Sequence, residues 1–192
     1  SGIVEKVGSA VKHVQAGDHV VLAYAYCHHC EHCSEGIPAA CQDWLELNWG
    51  SVHSDGSPFF TRDDGSVVNN FFHQSSFASH TNVKESNVIK VSKDLDLRLL
   101  GPLSCGLMTG VGTVINGLKA RPGSSIAIFG TGAVGLAAMM AAKISGCSTI
   151  IAVDIHDARL ELAKELGATH IINSKNSDAA ELIREITQQK GV

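Results

Sequence analysis

The sequence predicts a mixed fold, a mainly β part followed by the first half of a doubly wound parallel α/β sheet. Three observations predict it. Residues 125–154 run strand, glycine turn, helix and strand in register; residues 2–22 and 42–102 carry short β-branched runs punctuated by turn residues; and four cysteines crowd into residues 27–41. The β part is assigned to residues 1–106 and the α/β part to 107–192.

The opening reads as β. Ile3, Val4 and Val7 precede Gly8, Val11 and Val14 follow, and Ala16-Gly17-Asp18 turns into His19-Val20-Val21-Leu22. Ser1 and its neighbours offer no cap or turn, so the expectation is a chain that starts inside a domain.

Cys27, Cys30, Cys33 and Cys41 follow as C-x2-C-x2-C-x7-C. Two-residue gaps let successive thiolates converge on one ion, and a fourth from a short loop closes a tetrahedron. Four sulfurs leave no position for water, so a zinc here is structural. An iron–sulfur cluster, disulfides and buried free thiols are the rivals. The spacing departs from both ferredoxin patterns, and disulfides conflict with a reducing compartment. His28, His29 and His32 lie between the ligands and read as solvent-facing loop residues.

Between Gln42 and Pro102 the pattern stays β and loop, with Asp55-Gly56 and Asp64-Gly65 as hairpin-type turns. Phe59, Phe60, Phe71, Phe72 and Phe77, with Trp44 and Trp49, concentrate the aromatics here. Ordinary core packing is the expectation for most of them, and an apolar pocket wall for a minority. His73 and His80 read as surface or satisfied polar groups. Cys105 stands at the seam before a helix expected from about Leu107 to Lys119 and stopped by Pro122. Cys147 reads as a small buried hydrophobe.

Ile126–Phe129 is a wholly apolar strand, followed by Gly130, Gly132 and Gly135 at G-x-G-x-x-G spacing, a helix from Ala133 to Ile144 ended by Gly146, and a strand from Thr149 to Val153 closed by Asp154. The first glycine allows the tight turn, the second lets backbone approach a pyrophosphate, and the third lets helix pack on strand. The helix's free N–H groups then face the phosphates. Asp154 sits where a carboxylate accepts ribose hydroxyls and repels a 2′-phosphate, which favours NAD over NADP. A structural βαβ unit with no ligand is the alternative. Asp157–Leu166 reads as a further helix stopped by Gly167, Ile171-Ile172 as a third strand, and Ser177 as the cap of a last helix bearing Leu182, Ile183 and Ile186. That is one mononucleotide half where a complete dinucleotide site needs two, so more sheet is expected beyond Val192.

Composition excludes several classes. Apolar content is 44% and net charge −4, with no Lys/Arg run to suggest nucleic acid. The longest near-apolar stretch, Ala133–Ala142, is too short to span a membrane. No charged and apolar leader opens the chain, and the clustered cysteines suit a reducing, cytoplasmic setting.

These motifs resemble the zinc-containing medium-chain alcohol dehydrogenases. Gly2-x5-Gly8-x2-Val11 resembles the tail of that family's G-H-E signature, the cysteine loop has its structural-zinc spacing, and Cys105-Gly-Leu-Met-Thr109-Gly precedes the glycine turn as it does there. Residues 70–77 and 121–130 look closest to the aryl-alcohol (benzyl-alcohol) branch. The resemblance implies a partial GroES-like catalytic domain, then half of a Rossmann domain. It implies that Cys105 is one ligand of a catalytic zinc, the others lying upstream of Ser1. It places Thr109 and Val134 at the nicotinamide, Asp154 and Arg159 at the adenosine ribose, Gly130, Thr131, Gly132, Ala133 and Gly135 around the pyrophosphate, and Phe71 and Phe72 near a pocket wall. The expected activity of the parent is oxidation of aromatic primary alcohols, zinc acting as Lewis acid on the alcohol oxygen and hydride passing to NAD. The partner is then a small alcohol or aldehyde, and the parent a homo-oligomer, dimer or tetramer. The 192-residue chain alone is expected to be inactive. The rivals are another zinc polyol or alcohol dehydrogenase, a zinc-binding interaction module, and an NAD sensor without chemistry.

Overall fold

A computed structural model of the chain describes residues 1–50, 52, 53 and 55–192. It divides into two compact units, Ser1–Gly101 and Pro102–Val192.

In the first unit, β1 (Gly2–Ile3), β2 (His19–Leu22) and β5 (Val88–Val91) form an antiparallel sheet in the order β1-β2-β5. β3 (Phe60–Thr61) and β4 (Val67–Val68) make a separate hairpin around Asp64-Gly65. Gly65 takes φ +82 there and Gly56 takes φ +83 at the other expected turn, a region open to glycine and costly for other residues. Strand content is lower than the sequence suggests. Residues 4–18 are turns held by pairs such as Gly17 N–H to the Val4 carbonyl and Val4 N–H to that of Asp18. Buried Asp18 accepts from Gln15 N–H and pairs with Lys90 at 2.8 Å, which anchors this turn to β5.

Two short helices were not foreseen: α1 (Glu31–Ser34) and α2 (Trp44–Trp49). Fully buried Asn48 explains how α2 is held. Its side chain accepts from Ala25 N–H at 2.8 Å and donates to the Ala25 and Trp44 carbonyls, while its own carbonyl accepts from Phe72 N–H. An unpaired buried amide would cost about 1–3 kcal/mol, so this ladder fixes the residue's place.

Core packing of the aromatics is corrected by the structure. Among the described residues no Phe, Tyr or Trp is buried; Trp49, Phe60 and Phe71 are exposed and Phe77 fully so. Trp49 packs edge-on against Phe71 at 4.8 Å and tilted against Phe72 at 5.0 Å, a surface cluster rather than an interior. Phe72, His73 and Ser75 all adopt left-handed backbone (φ 52, 62 and 48), sparsely populated by non-glycine residues. The His73 ring is buried on the Leu47 carbonyl and His80 pairs with Glu5.

The second unit opens with α3 (Gly106–Gly112), which widens into a π-helical turn over Thr113–Gly117. A single α-helix to Lys119 was expected; the Thr113 hydroxyl bonding back to the Thr109 carbonyl at 2.7 Å accompanies the change of pitch. β6 (Ser125–Phe129), α4 (Ala133–Ile144), β7 (Thr149–Asp154), α5 (Asp157–Leu166), β8 (His170–Asn173) and α6 (Ala179–Ile186) follow. The sheet is parallel, in the order β6-β7-β8, with Phe129 opposite Val153 and Asp154 opposite Asn173.

β7 is buried on both faces. Ile150 and Ala152 pack with Met139, Ala142 and Leu160 on the side of α4 and α5, while Ile151 and Val153 pack with Ile172 and Ile183 on the side of α6. Helices on both faces of a parallel sheet are why its strands read as unbroken apolar runs. Ser177 is not the cap of α6. Asp178 is, accepting from Ala180 and Glu181 N–H, whereas the Ser177 hydroxyl donates back to the Asn173 carbonyl. A carboxylate one residue closer to the helix is the stronger acceptor for its free N–H groups. No single helix among the described residues is long and apolar enough to cross a membrane.

Candidate metal loop and nucleotide turn

Each unit contains one chemically distinctive site. In the first, two local structures deliver three of the cysteines: Cys30 caps α1, Cys33 lies within it, and Cys41 ends a short 3-10 turn over Pro38–Ala40. His28 with φ 68 bends the chain between Cys27 and Cys30. No disulfide joins the cysteines, and all four Sγ atoms lie within 4.8 Å of one another. Cys27 Sγ and Cys33 Sγ are 3.8 Å apart. A tetrahedron with Zn–S near 2.3 Å has an edge of about 3.8 Å, so the Cys27–Cys33 pair already stands at the spacing a zinc tetrahedron needs.

Backbone donors point at these sulfurs: Cys30 N–H to Cys27 Sγ at 3.3 Å and Cys27 N–H to Cys41 Sγ at 3.4 Å. N–H groups of Gln42 and Cys33 draw the Cys30 thiol down to about 6, while burial and then the neighbouring Cys30 sulfur raise Cys33. One thiolate is therefore ready and its neighbour needs a cation to lose its proton. His28 and His29 are exposed and His32 half-exposed, and none is required to complete four ligands.

The second site is the turn between β6 and α4. Its three glycines have three different explanations. Gly130 takes φ +90, which glycine alone adopts freely. At Gly135 a Cβ would overlap the Gly130 carbonyl oxygen and lie 3.0 Å from its carbon, so the turn could not close. Gly132 has ordinary φ −77, and a Cβ there would meet nothing within 4 Å. Neither conformation nor packing demands glycine at 132, which leaves room for a body outside the chain.

Gly132 also starts α4, where no side chain caps the first N–H groups. Gly132, Ala133 and Val134 face solvent, while Thr131 and Gly135 are buried. Exposed Phe129, Val134 and Ile155 rim the turn, and an open groove of about 440 Å³ runs past Gly110, Val114, Phe129 and Val134.

Asp154 ends β7 and is only 8% exposed. Its Oδ2 accepts from Thr131 N–H (2.7 Å) and the Thr131 hydroxyl (2.8 Å), and its Oδ1 from Ile155 N–H (2.7 Å) and His156 N–H (3.0 Å). The Thr131 donors, then those of His156 and Ile155, hold the carboxyl far below its usual range. The carboxylate is thus already satisfied from within, which its place in the sequence did not reveal. Arg159 is exposed in the first turn of α5.

Cys105 is exposed and precedes α3. A Cβ on Gly106 would meet Ala133 Cβ at 3.5 Å and Val134 Cγ2 at 3.9 Å, so the start of α3 lies against the start of α4. The structure therefore places Gly106, the residue after Cys105, against the first residues of α4 within one unit. Thr109, one helical turn on, is exposed. Sequence reading missed Gly106 and Gly110 as the residues that allow this approach; four-residue spacing of small residues on a helix was the available signal.

A β unit with a four-sulfur loop, followed by a nucleotide-type βαβ unit, defines a class of protein built to hold a metal and a nucleotide, and comparison with known proteins narrows it. The family model described as "Alcohol dehydrogenase GroES-like domain" matches residues 1–93, and the one described as "Zinc-binding dehydrogenase" matches residues 133–192. A probable alcohol dehydrogenase from Pseudomonas sp is 42% identical over all of this chain and 61% of its own length. Geraniol dehydrogenase from Castellaniella defragrans is 44% identical over 90% of this chain and 47% of its own. Among solved structures, benzyl alcohol dehydrogenase from Acinetobacter calcoaceticus superposes with a TM-score of 0.87 at 50% identity, covering 97% of this chain and 50% of that one. An alcohol dehydrogenase zinc-binding domain protein from Burkholderia ambifaria gives 0.88 at 54% identity, covering 96% and 50%. The chain belongs to the zinc-containing medium-chain alcohol dehydrogenases, as a GroES-like part followed by the start of the Rossmann-like domain. It spans about half the length of most of these relatives.

Proposed function

We propose that the intact protein carrying this chain is an NAD-dependent zinc alcohol dehydrogenase acting on aromatic primary alcohols in the cytoplasm, as a homo-oligomer. The observation that carries the nucleotide reading is Gly132, whose missing side chain serves no need of the fold and leaves the mouth of α4 open to a pyrophosphate. The half-length likeness to a benzyl alcohol dehydrogenase supports the aromatic substrate.

In this reading Cys27, Cys30, Cys33 and Cys41 hold a structural zinc, and Cys105 is one ligand of a catalytic zinc. When bound there, zinc supplies Lewis acidity toward the alcohol oxygen, and NAD supplies the hydride acceptor. The chain's own part is orientation. Gly130, Thr131, Gly132, Ala133 and Gly135 shape the pyrophosphate cradle, and the uncapped N–H groups of α4 donate into it. Asp154 presents fixed negative charge at the adenosine ribose, with Arg159 beside it, and Thr109 and Val134 bound the nicotinamide. Phe71 and Phe72 contribute a pocket wall. The 1–106 and 107–192 division corresponds to the catalytic and nucleotide-binding domains.

The test follows NADH absorbance with purified intact protein, giving benzyl alcohol and geraniol in parallel, each with NAD and with NADP. Turnover with benzyl alcohol and NAD is expected. The geraniol dehydrogenase relative motivates the second reading. Turnover with geraniol but not benzyl alcohol overturns the aromatic assignment, and turnover with NADP alone overturns the cofactor assignment.

A further inference from the structure

Asp154 is the carboxylate nearest the nucleotide turn by sequence, yet its geometry depends on a residue across the turn. The link to β7 is double. Gly130 N–H donates to the Val153 carbonyl at 2.7 Å, and Thr131 then gives both its N–H and its hydroxyl to Asp154 Oδ2. Thr131 is 1% exposed, so its hydroxyl is shielded from water and from direct contact with a ligand in this arrangement. A backbone N–H is available from any residue except proline, whereas the second donor requires a hydroxyl at position 131. Oδ1 is held separately by Ile155 and His156 N–H. Four donors on two oxygens fill the acceptor capacity of a carboxylate and fix the plane of its charge.

We propose that Thr131 is a positioning residue: its hydroxyl locks the Asp154 carboxylate against the glycine turn and thereby sets the discrimination between NAD and its 2′-phosphorylated form. The inference rests on the dinucleotide reading above. The charge that a 2′-phosphate meets is effective because it cannot swing away. Without the hydroxyl, Oδ2 keeps one donor, and the carboxylate gains freedom to turn from the mouth of the site. The groups next to it are the donors of Thr131, Ile155 and His156, with the charged side chains of Asp157 and Arg159 following in α5.

The test uses the intact protein with Thr131→Val, which keeps shape and removes the hydroxyl, and Thr131→Ser, which restores it; Thr131→Ala replaces the valine variant if that fails to fold. Dissociation constants for NADH and NADPH are measured by fluorescence, and the Asp154 carboxyl is titrated by 13C NMR without cofactor. The hydroxyl-less variant should lower the NADH-over-NADPH preference by about five- to tenfold, in line with loss of one charge-assisted hydrogen bond. Its Asp154 should titrate at higher pH, and serine should restore both to within about twofold. A merely structural role would lower thermal stability and leave the preference unchanged. An unmoved preference with NADH still bound overturns the positioning role alone. Wild-type protein that binds neither nucleotide overturns the dinucleotide reading together with this consequence of it, whatever the carboxyl titration gives.

Discussion

Gly110 and Val134 touch so closely that α3 and α4 have no space for a side chain at that crossing. A Cβ at 110 would overlap the Val134 carbonyl oxygen and come within 2.8 Å of Ala137 Cβ and of Ala138 N. Backbone atoms cannot rotate aside as a side chain does. Gly110→Ala must therefore push the helices apart, at a cost of about 2 kcal/mol, typical of an overpacked core. Gly106→Ala is the control, because its nearest neighbours stand at ordinary contact distance; it should change stability by less than about 1 kcal/mol. Urea unfolding of both variants checks the contrast, and equal midpoints would refute the close approach.

The two later turn glycines separate folding from binding. Gly135→Ala collides with the Gly130 carbonyl and should destabilise by about 3 kcal/mol, with loss of the turn. Gly132→Ala meets only open space and should stay within about 1 kcal/mol of the parent. Yet Gly132→Ala should weaken NADH binding by about tenfold or more, because its methyl occupies the approach to the pyrophosphate. Calorimetric titration with NADH, set beside thermal unfolding, reads both quantities. NADH affinity unchanged in Gly132→Ala would remove the reason for assigning a ligand to this turn.

Metal content tests the sulfur loop. Cys41→Ser should remove one tightly held zinc per chain by elemental analysis, whereas Cys147→Ser, altering a half-buried thiol beside Ser124 in the other unit, should leave the count unchanged. Zinc binding at neutral pH should also release protons, since Cys33 is raised and must ionise to ligate, whereas Cys30 is drawn down to about 6. Its affinity therefore falls as the solution is acidified. Titrations in buffers of different ionisation enthalpy measure the release directly. Zinc uptake without proton release would contradict the thiol ligand set.

The α/β unit was legible because local pattern and global burial agree there. An apolar run flanked by glycines has one economical fate, and the expected helix at Ala133–Ile144 was found with the same bounds. Asp154 was legible from its place at the end of β7, but its four donors come from residues on two loops, and a linear reading cannot pair Thr131 with it. The β unit was less legible for the same reason. Asn48 determines where α2 sits through bonds to Ala25 and Phe72, contacts far apart in sequence with no periodicity to announce them. The aromatic segment misled because apolar residues read as interior, whereas here Trp49, Phe71 and Phe72 pack on one another while Trp49 and Phe71 stay exposed.

The carboxyl of Asp154 also predicts how the second unit responds to acid. Its pKa lies below the ordinary 3.8, so the folded state holds the ionised form more tightly than the unfolded state does. Such a group stabilises the fold fully above about pH 4, and the contribution is lost as pH falls through the lowered value. Asp154→Asn removes that dependence. The amide also turns one or two of the four donors into donor-against-donor contacts, leaving buried N–H groups unmatched at about 1–3 kcal/mol. The variant should be less stable than the parent at pH 7 and approach it below pH 3, giving a flatter acid limb. Denaturant unfolding between pH 7 and pH 2.5 measures both curves. Parallel curves with a constant offset would mean that the carboxylate is not ionised and donor-bound in the folded protein as the Thr131, Ile155 and His156 contacts require.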